Sequence, residues 1–358
     1  MRMIAVNRNA WRRMLSASVP AACITDPLSI AYLTGFRANP HERLMALVIG
    51  PDSALLLVPD LEEESARGQA REVEILGWRD GDDPFPVLRS AIGDPRLLAV
   101  EKEHLTLARW ERLDAGEVSD CSEPLRRLRE TKSGDELDLL RTAARHTDDV
   151  TRSILGELRA GQTELEVAAR IDALITATGS TRSFGTLAQA GSDSALPHLS
   201  PGDRRLAGGD LVLLDFGARH RGYNADTTRM AVVGKPDAEQ LRVHQAVLDA
   251  HDRALEAIRP GVTCGAVDAA ARRSLEKAGL GDRFIHRTGH GLGLDSHEGP
   301  NLEPGSTVRL EAGNVVTVEP GAYIPGWGGV RIEDDVAVTA DGAEILTAAE
   351  RGLKVIPD

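Results

Sequence analysis

Two carboxylates occupy positions where an apolar strand and its return would bury them. The stretch VLLDFGARHRGYNAD, residues 212 to 226, runs apolar up to Asp215, and Asp226 follows eleven positions later. An unpaired buried charge is expensive, so such a residue must be paired, protonated or bound to a cation. A second stretch, VTVEPGAYIPGWGGVRIED, repeats the pattern with Glu319 and Glu333. If Asp215 lies opposite Asp226 across a two-residue or slightly bulged hairpin, and Glu319 opposite Glu333 around a wider turn, each pair shares one face. Four converging carboxylates without cations would repel one another and take up protons. Two divalent ions held by bridging carboxylates would remove that repulsion. A nitrogen donor is available in HRTGHGLGLDSHEGP, residues 286 to 300, which offers His286, His290 and His297. Gly289, Gly291 and Gly293 disfavour a helix there, and HExxH is absent. Taken singly, each carboxylate reads as a cap or salt-bridge partner and each histidine as structural; read together, they point to a metal centre.

The elements that must position these residues repeat. LRAGQT at 158 to 163 recurs as IRPGVT at 258 to 263, each time between a long helix and a shorter one ending at Gly179 or Gly279. The offsets are 100 residues for this segment, 104 from Asp215 to Glu319 and 107 from Asp226 to Glu333. Two copies of one α/β unit, facing each other, would bring the four carboxylates to a common centre. Ser133 with Glu136, and Thr163 with Glu166, have the spacing of capping boxes that open helices. Ahead of this, residues 1 to 122 alternate short β-like runs (AACIT, LMALVIG, SALLLVP, EVEILGW, LLAVE) with helical stretches, as in a compact α/β domain. A charged connector near residues 123 to 131 separates the two, giving expected domains of 1–125 and 126–358. At the N-terminus, WRRMLSASVPAACITD reads as a surface helix running into a first strand, its apolar part being too short and too interrupted for an export signal.

Composition narrows the function classes. With 358 residues, two domains are the natural expectation. A formal charge of -13 argues against nucleic acid and anionic membranes as partners. No window approaches the ~18 to 20 uninterrupted apolar residues of a membrane span. Cys23, Cys121 and Cys264 are odd in number and widely spaced, so neither a disulfide framework nor a thiolate zinc site is indicated. A reducing, cytoplasmic setting follows as the simplest expectation.

Over residues 130 to 358 the sequence resembles the pita-bread metallopeptidases, which include prolidase, aminopeptidase P, methionine aminopeptidase and the metal-free creatinase. The five ligand positions of that pattern are filled by Asp215, Asp226, His290, Glu319 and Glu333. The resemblance implies a creatinase-type N-terminal α/β domain followed by a pita-bread catalytic domain of two pseudo-symmetric α/β halves. It implies that Asp226 and Glu333 bridge two metals, that Asp215 completes one ion, and that His290 with Glu319 completes the other. His198 in SALPH, His297 in HEGP and Arg331 in GVRIED match further functional positions. Arg331 reads equally well as a substrate contact or as a salt bridge that orients a ligand.

Carboxylate-rich ligation with one imidazole favours Mn(II), with Co(II) or Zn(II) as alternatives. Two such ions about 3.5 to 4 Å apart can share and acidify a water that attacks a peptide carbonyl. In that scheme Glu319 shuttles the proton, and His198 and His297 hydrogen-bond the substrate. The N-terminal domain disfavours methionine aminopeptidase. YLTGFRANPHERLMALVIG is similar to the corresponding segment of bacterial prolidases and small aminopeptidases P, which implies a homodimer in which His41, Glu42 and Arg43 contact substrate or partner. The expected activity is Xaa-Pro dipeptide hydrolysis in the cytoplasm, with Arg331 or a partner's Arg43 receiving the free proline carboxylate. Aminopeptidase P, acting on tripeptides and longer, is the close alternative. A catalytically silent binding protein and creatinase-like C–N hydrolysis are more remote, because all five ligands are intact.

Overall fold

The computed structural model describes residues 20–93 and 97–357, and the helix expected ahead of the first strand lies outside them. The chain divides into two compact units, Met1–Arg129 and Glu130–Asp358.

In the first unit six strands form one sheet: β1 (Ala21–Ile24), β2 (Ala46–Ile49), β3 (Ala54–Pro59), β4 (Glu74–Trp78), β5 (Leu97–Val100) and β6 (Glu117–Asp120), in the order β4-β3-β2-β1-β5-β6. The first five coincide with the five apolar runs of the sequence. Their side chains alternate between faces, as the pleat requires. Ala22, Ile24, Leu47, Ile49, Leu56 and Val58 enter one core, while Ala21, Cys23, Ala46, Val48 and Leu57 enter the other. Helices α1 (Pro27–Thr34), α2 (Asp60–Gln69), α3 (Phe85–Ile92) and α4 (Leu107–Leu113) lie between strands, and α5 (Ser122–Glu130) follows the last of them. A sheet buried on both faces explains runs that are continuously apolar.

The second unit is built twice over. Helix α6 (Gly134–Glu157) leads to α7 (Glu164–Ala177), and α8 (Ala238–Ala257) leads to α9 (Cys264–Lys277). Ser133 and Thr163 form the expected capping boxes, and Gly179 and Gly279 take the left-handed φ of 78° and 72° that ends a helix without a Cβ clash. The repeated loops are held alike: the Gly161 amide donates to the Leu206 carbonyl, and the Gly261 amide to that of Leu310, both at 2.8 Å.

After each helix pair comes a sheet. β7 (Thr181–Arg182) is followed by β8 (Leu187–Ala190), β9 (Leu211–Phe216), β10 (Ala218–His220), β11 (Tyr223–Asn224) and β12 (Thr227–Val233). The second half supplies β13 (Gly289–Gly291), β14 (Glu298–Leu302), β15 (Val315–Val318), β16 (Gly321–Ile324), β17 (Gly328–Arg331), β18 (Asp334–Val338) and β19 (Ala343–Ile345), with β20 (Lys354–Ile356) closing the chain. The sheets run β20-β12-β9-β8 and β14-β13-β15-β18-β19. In β9, Val212, Leu214 and Phe216 pack toward α6 and α7. Leu211 and Leu213, on the opposite face, join Val316, Val318, Val336 and Val338 in a core shared by both halves.

The hairpin geometry departs from expectation. Asp215 pairs with Thr228, and Asp226 lies just before β12, diagonal to Asp215. The chain between them is no tight turn. It makes a separate excursion, β10 and β11, that joins β7 in its own small sheet. The second half does the same with β16 and β17, which form a two-stranded ribbon between β15 and β18. Diagonal neighbours share a face, so convergence survives the corrected register.

Candidate metal centre

Period-two alternation aims the carboxylates. Asp215 shares its face with Leu211 and Leu213, and Asp226 shares its face with Thr228, Met230 and Val232, all turned toward the opposite half. Glu319 and Glu333 follow one step beyond the Val318–Asp334 pair. The two halves are joined directly here. The Glu333 amide donates to the Thr228 carbonyl at 3.3 Å, and the Asp226 amide to the Asp335 carboxylate at 3.0 Å.

A cavity of about 650 Å³ results, lined by Asp215, Asp226, His290, Glu319 and Glu333 together with His198, His286, Arg287, His297, Arg331 and an apolar side of Phe184, Leu187 and Pro197. All are drawn from the second unit. His41 and Arg43 belong to the first, where His41 is exposed at a φ of 54° and Arg43 makes a two-pronged bond to Asp80 at 2.8 and 2.7 Å.

The donor set fits divalent cations. Ligand atoms of Asp226, His290 and Glu333 lie within 4.8 Å of one another. His290 Nδ1 faces the Gly291 carbonyl at 3.0 Å, which can only accept, so Nδ1 carries the proton and Nε2 presents a lone pair. That lone pair is 3.4 Å from Glu319 Oε1 and 3.9 Å from Asp226 Oδ2. Acceptors facing acceptors require a proton or a cation between them. Burial holds the His290 imidazole neutral, pushing its pKa down to about 3. Burial, and then the neighbouring carboxylates, push Asp226 and Glu333 well above the usual carboxylate range, and burial takes Glu319 up to about 7. Asp215 Oδ1 and Asp226 Oδ1 are buried without a hydrogen-bond partner. Carboxyl groups left unsatisfied and mutually repelling are what a bound cation would neutralise.

Arg331 is deeply engaged. It is 4 % exposed, ion-pairs with Asp215, donates from Nε to Thr228 Oγ1 at 3.0 Å and from a terminal nitrogen to Tyr323 Oη at 2.7 Å. Thr228 in turn donates to Glu333 Oε2 at 2.7 Å. His286 is not free to ligate: Nδ1 faces the Arg287 carbonyl at 2.7 Å and Nε2 the Tyr323 hydroxyl at 2.9 Å. His297 stacks on His290 with ring centroids 4.0 Å apart. Sequence reasoning missed Thr228 and Asp335, which bond Glu333 and Asp226 across the two halves, and Tyr323, which bonds Arg331 and His286. The only signals were Tyr323 four residues after Glu319 and the acidic run of Glu333, Asp334 and Asp335.

Comparison with known proteins follows this division. Residues 138–340 match the model of metallopeptidase family M24, and residues 8–131 match the creatinase/prolidase N-terminal domain. A Staphylococcus aureus (strain USA300) protein described as an uncharacterized peptidase is 40% identical over 337 residues, covering 92% of this chain and 95% of that protein. Among solved structures, the Xaa-Pro dipeptidase from Bacillus anthracis superposes with a TM-score of 0.90 at 32% identity, covering 98% of each chain. The X-Pro aminopeptidase from Thermotoga maritima superposes with a TM-score of 0.88 at 30% identity, covering 97% of this chain and 100% of that one. With a duplicated α/β unit, five metal-ligating side-chain types lining one cavity and a family match over most of the second unit, the chain belongs to metallopeptidase family M24.

Proposed function

We propose that this protein is a metal-dependent Xaa-Pro dipeptidase. The observation that supports this most is the single cavity that gathers Asp215, Asp226, His290, Glu319 and Glu333 beside His198, His297 and an apolar wall. Asp226 and Glu333 would bridge two divalent ions, Asp215 would complete one, and His290 with Glu319 the other. Manganese is the ion this oxygen-rich donor set favours. When bound, the ions polarise the scissile carbonyl and acidify water.

The chain's own groups supply the rest. Glu319, beside His290 and held by Thr317 at 3.4 Å, accepts a proton from the attacking water and passes it to the leaving proline nitrogen. His198 and His297 hydrogen-bond the substrate carbonyl and the residue after the cleaved bond. Arg331 holds Asp215 in place while Thr228 and Tyr323 hold Arg331. Phe184, Leu187 and Pro197 offer the apolar contact that a proline ring needs.

In the same proposal residues 1–125 form a domain that assists and 126–358 the domain that catalyses. The exposed loop bearing His41 and Arg43 meets a second copy of the chain in a homodimer, and the enzyme works in the cytoplasm. Among the described residues no helix is long and apolar enough to cross a membrane. The likeness to the T. maritima protein favours a second reading, Xaa-Pro aminopeptidase. Comparing kcat/KM on Ala-Pro and Ala-Pro-Ala, before and after chelation and manganese restoration, separates them. Metal-dependent cleavage with preference for Ala-Pro is the expected outcome. Preference for Ala-Pro-Ala selects the second reading, and inactivity at full metal content rejects both.

A further inference from the structure

His198 reaches the cavity from a loop, and that loop is tied down at three places. Glu164, the first residue of α7 and 1 % exposed, closes its neck: Oε1 accepts from the Ala190 amide at 2.7 Å and Oε2 from the Gly202 amide at 2.9 Å. Beyond the neck, Gly191–Ala195 forms a short 3-10 turn. Its Ser194 hydroxyl donates to the Gly191 carbonyl at 2.6 Å and accepts from the Gly329 amide of β17 at 2.8 Å. A Cβ on Gly329 would collide with the Ser194 carbonyl oxygen, so the loop sits directly on the strand that ends in Arg331.

The third tie acts on His198 itself. The Leu199 amide donates to the Leu196 carbonyl at 3.0 Å, which closes a β-turn with Pro197 and His198 at its two central positions. The fixed φ of proline suits the first of these, and the residue before it is extended, with φ -110° and ψ 94° at Leu196. His198 is exposed, so its ring owes its place to its backbone. One buried side chain braces that backbone. Gln189 on β8, 0 % exposed, donates from Nε2 to the Leu196 carbonyl and to the Leu199 carbonyl, both at 2.8 Å, and so spans the turn from end to end.

The sheet itself calls for an apolar residue at this position. Gln189 stands opposite Leu213 and shares a face with Leu187, which stands opposite Asp215. Its Oε1 is buried with no hydrogen-bond partner among the described residues, a desolvation cost that an apolar side chain of the same length would not carry. What the amide adds is a pair of donors that fix the turn bearing His198.

We propose that Gln189 is a positioning residue for the reaction: by gripping the carbonyls on either side of Pro197 and His198, it sets the direction from which the His198 imidazole meets the substrate. This rests on the Xaa-Pro reading above, in which His198 hydrogen-bonds the substrate. A displaced hydrogen-bonding group costs rate even when every metal ligand is intact.

The test is a double-variant cycle on Ala-Pro with manganese-loaded, full-length protein: wild type, Q189M, H198A and the two combined. Methionine matches glutamine in length and flexibility but has no N–H to donate. In Q189M, kcat/KM is expected to fall roughly 10-fold or more, mostly through kcat, at unchanged manganese content. In the H198A background the same substitution should change kcat/KM by less than about 2-fold, because the group it positions is already gone. Q189N, whose amide is one methylene too short to reach both carbonyls, should show the same loss and the same dependence on His198, and it carries the test if Q189M does not fold. If Q189M keeps the wild-type rate, loses manganese along with activity, or multiplies with H198A, the assignment of Gln189 is overturned while the dipeptidase reading stands. If H198A turns over at the wild-type rate, the roles of His198 and Gln189 fall together. If the wild type leaves Ala-Pro intact, the Xaa-Pro reading falls with them.

Discussion

Glu319 is asked to do two things that one substitution separates. Its carboxylate faces His290 Nε2 at 3.4 Å and carries the proton of the attacking water in the proposed reaction. Glutamine keeps the shape and one oxygen but cannot take up that proton. For Glu319→Gln, turnover of Ala-Pro is expected to fall by roughly 100-fold or more, the range associated with a positioned acid–base group. The variant needs metal analysis beside kinetics, because loss of an ion would produce the same slowdown. Full turnover at full metal content would remove the proton-shuttle role. Arg331, by contrast, contributes through geometry: three partners at fixed angles suit a planar fork and would not suit a lysine.

At the scale of elements, the loop carrying His297 is braced from two directions. Asn224 on β11 donates from its amide and side chain to the Gly293 carbonyl at 2.9 and 3.0 Å, and from its side chain to that of Leu294 at 3.0 Å. Opposite, Lys132 and Glu298 form a fully buried ion pair at 2.7 Å. A Cβ on Gly293 would collide with the Glu298 carboxylate and approach Lys132 Cε to 3.1 Å, so glycine is needed there for room and not for its dihedral freedom. Removing one buried partner strands the other, whereas replacing both by apolar groups removes the desolvation problem along with the pair. Glu298→Leu is therefore expected to destabilise the protein by about 3 to 5 kcal/mol in urea unfolding, and the double variant with Lys132→Met to recover most of that loss. Additive single and double effects would show that the pair is not coupled. None of this bracing was legible in the sequence, since Lys132 and Glu298 lie 166 positions apart. What was legible is local. The capping pairs Ser133–Glu136 and Thr163–Glu166 are decided within four residues, and the apolar runs announce strands. The excursion between Asp215 and Asp226 was missed because β10 is held by β7, a partner of two residues with no apolar pattern of its own.

For the molecule as a whole, the duplication in the sequence carried the site: two carboxylates in each half, at nearly constant offset, converge in one cavity. The sequence could not show that Asp335 would hold the Asp226 amide or that Thr228 would bond Glu333. Those outcomes depend on how one half meets the other. The first unit has its own buried carboxyl, Glu101, which accepts from the Thr25 and Asp26 amides at 3.3 and 3.1 Å and from Ser29 Oγ at 2.6 Å. Burial outweighs these donors and raises its pKa to about 7 from an ordinary 4.5. The folded chain thus keeps a proton that the unfolded chain releases, so this group's contribution to stability is fully present below about pH 4.5, falls as pH rises, and levels off above about 7. A shift of this size corresponds to a contribution on the order of 3 kcal/mol. Full-length protein in calorimetry should lose stability between about pH 4.5 and 7 through this group, and Glu101→Gln, which cannot ionise, should flatten that slope. The comparison is best made at constant manganese, so that ligand deprotonation in the second unit is common to both proteins. Identical slopes in variant and wild type would mean that Glu101 is already ionised in the folded chain at pH 5, its three donors outweighing its burial.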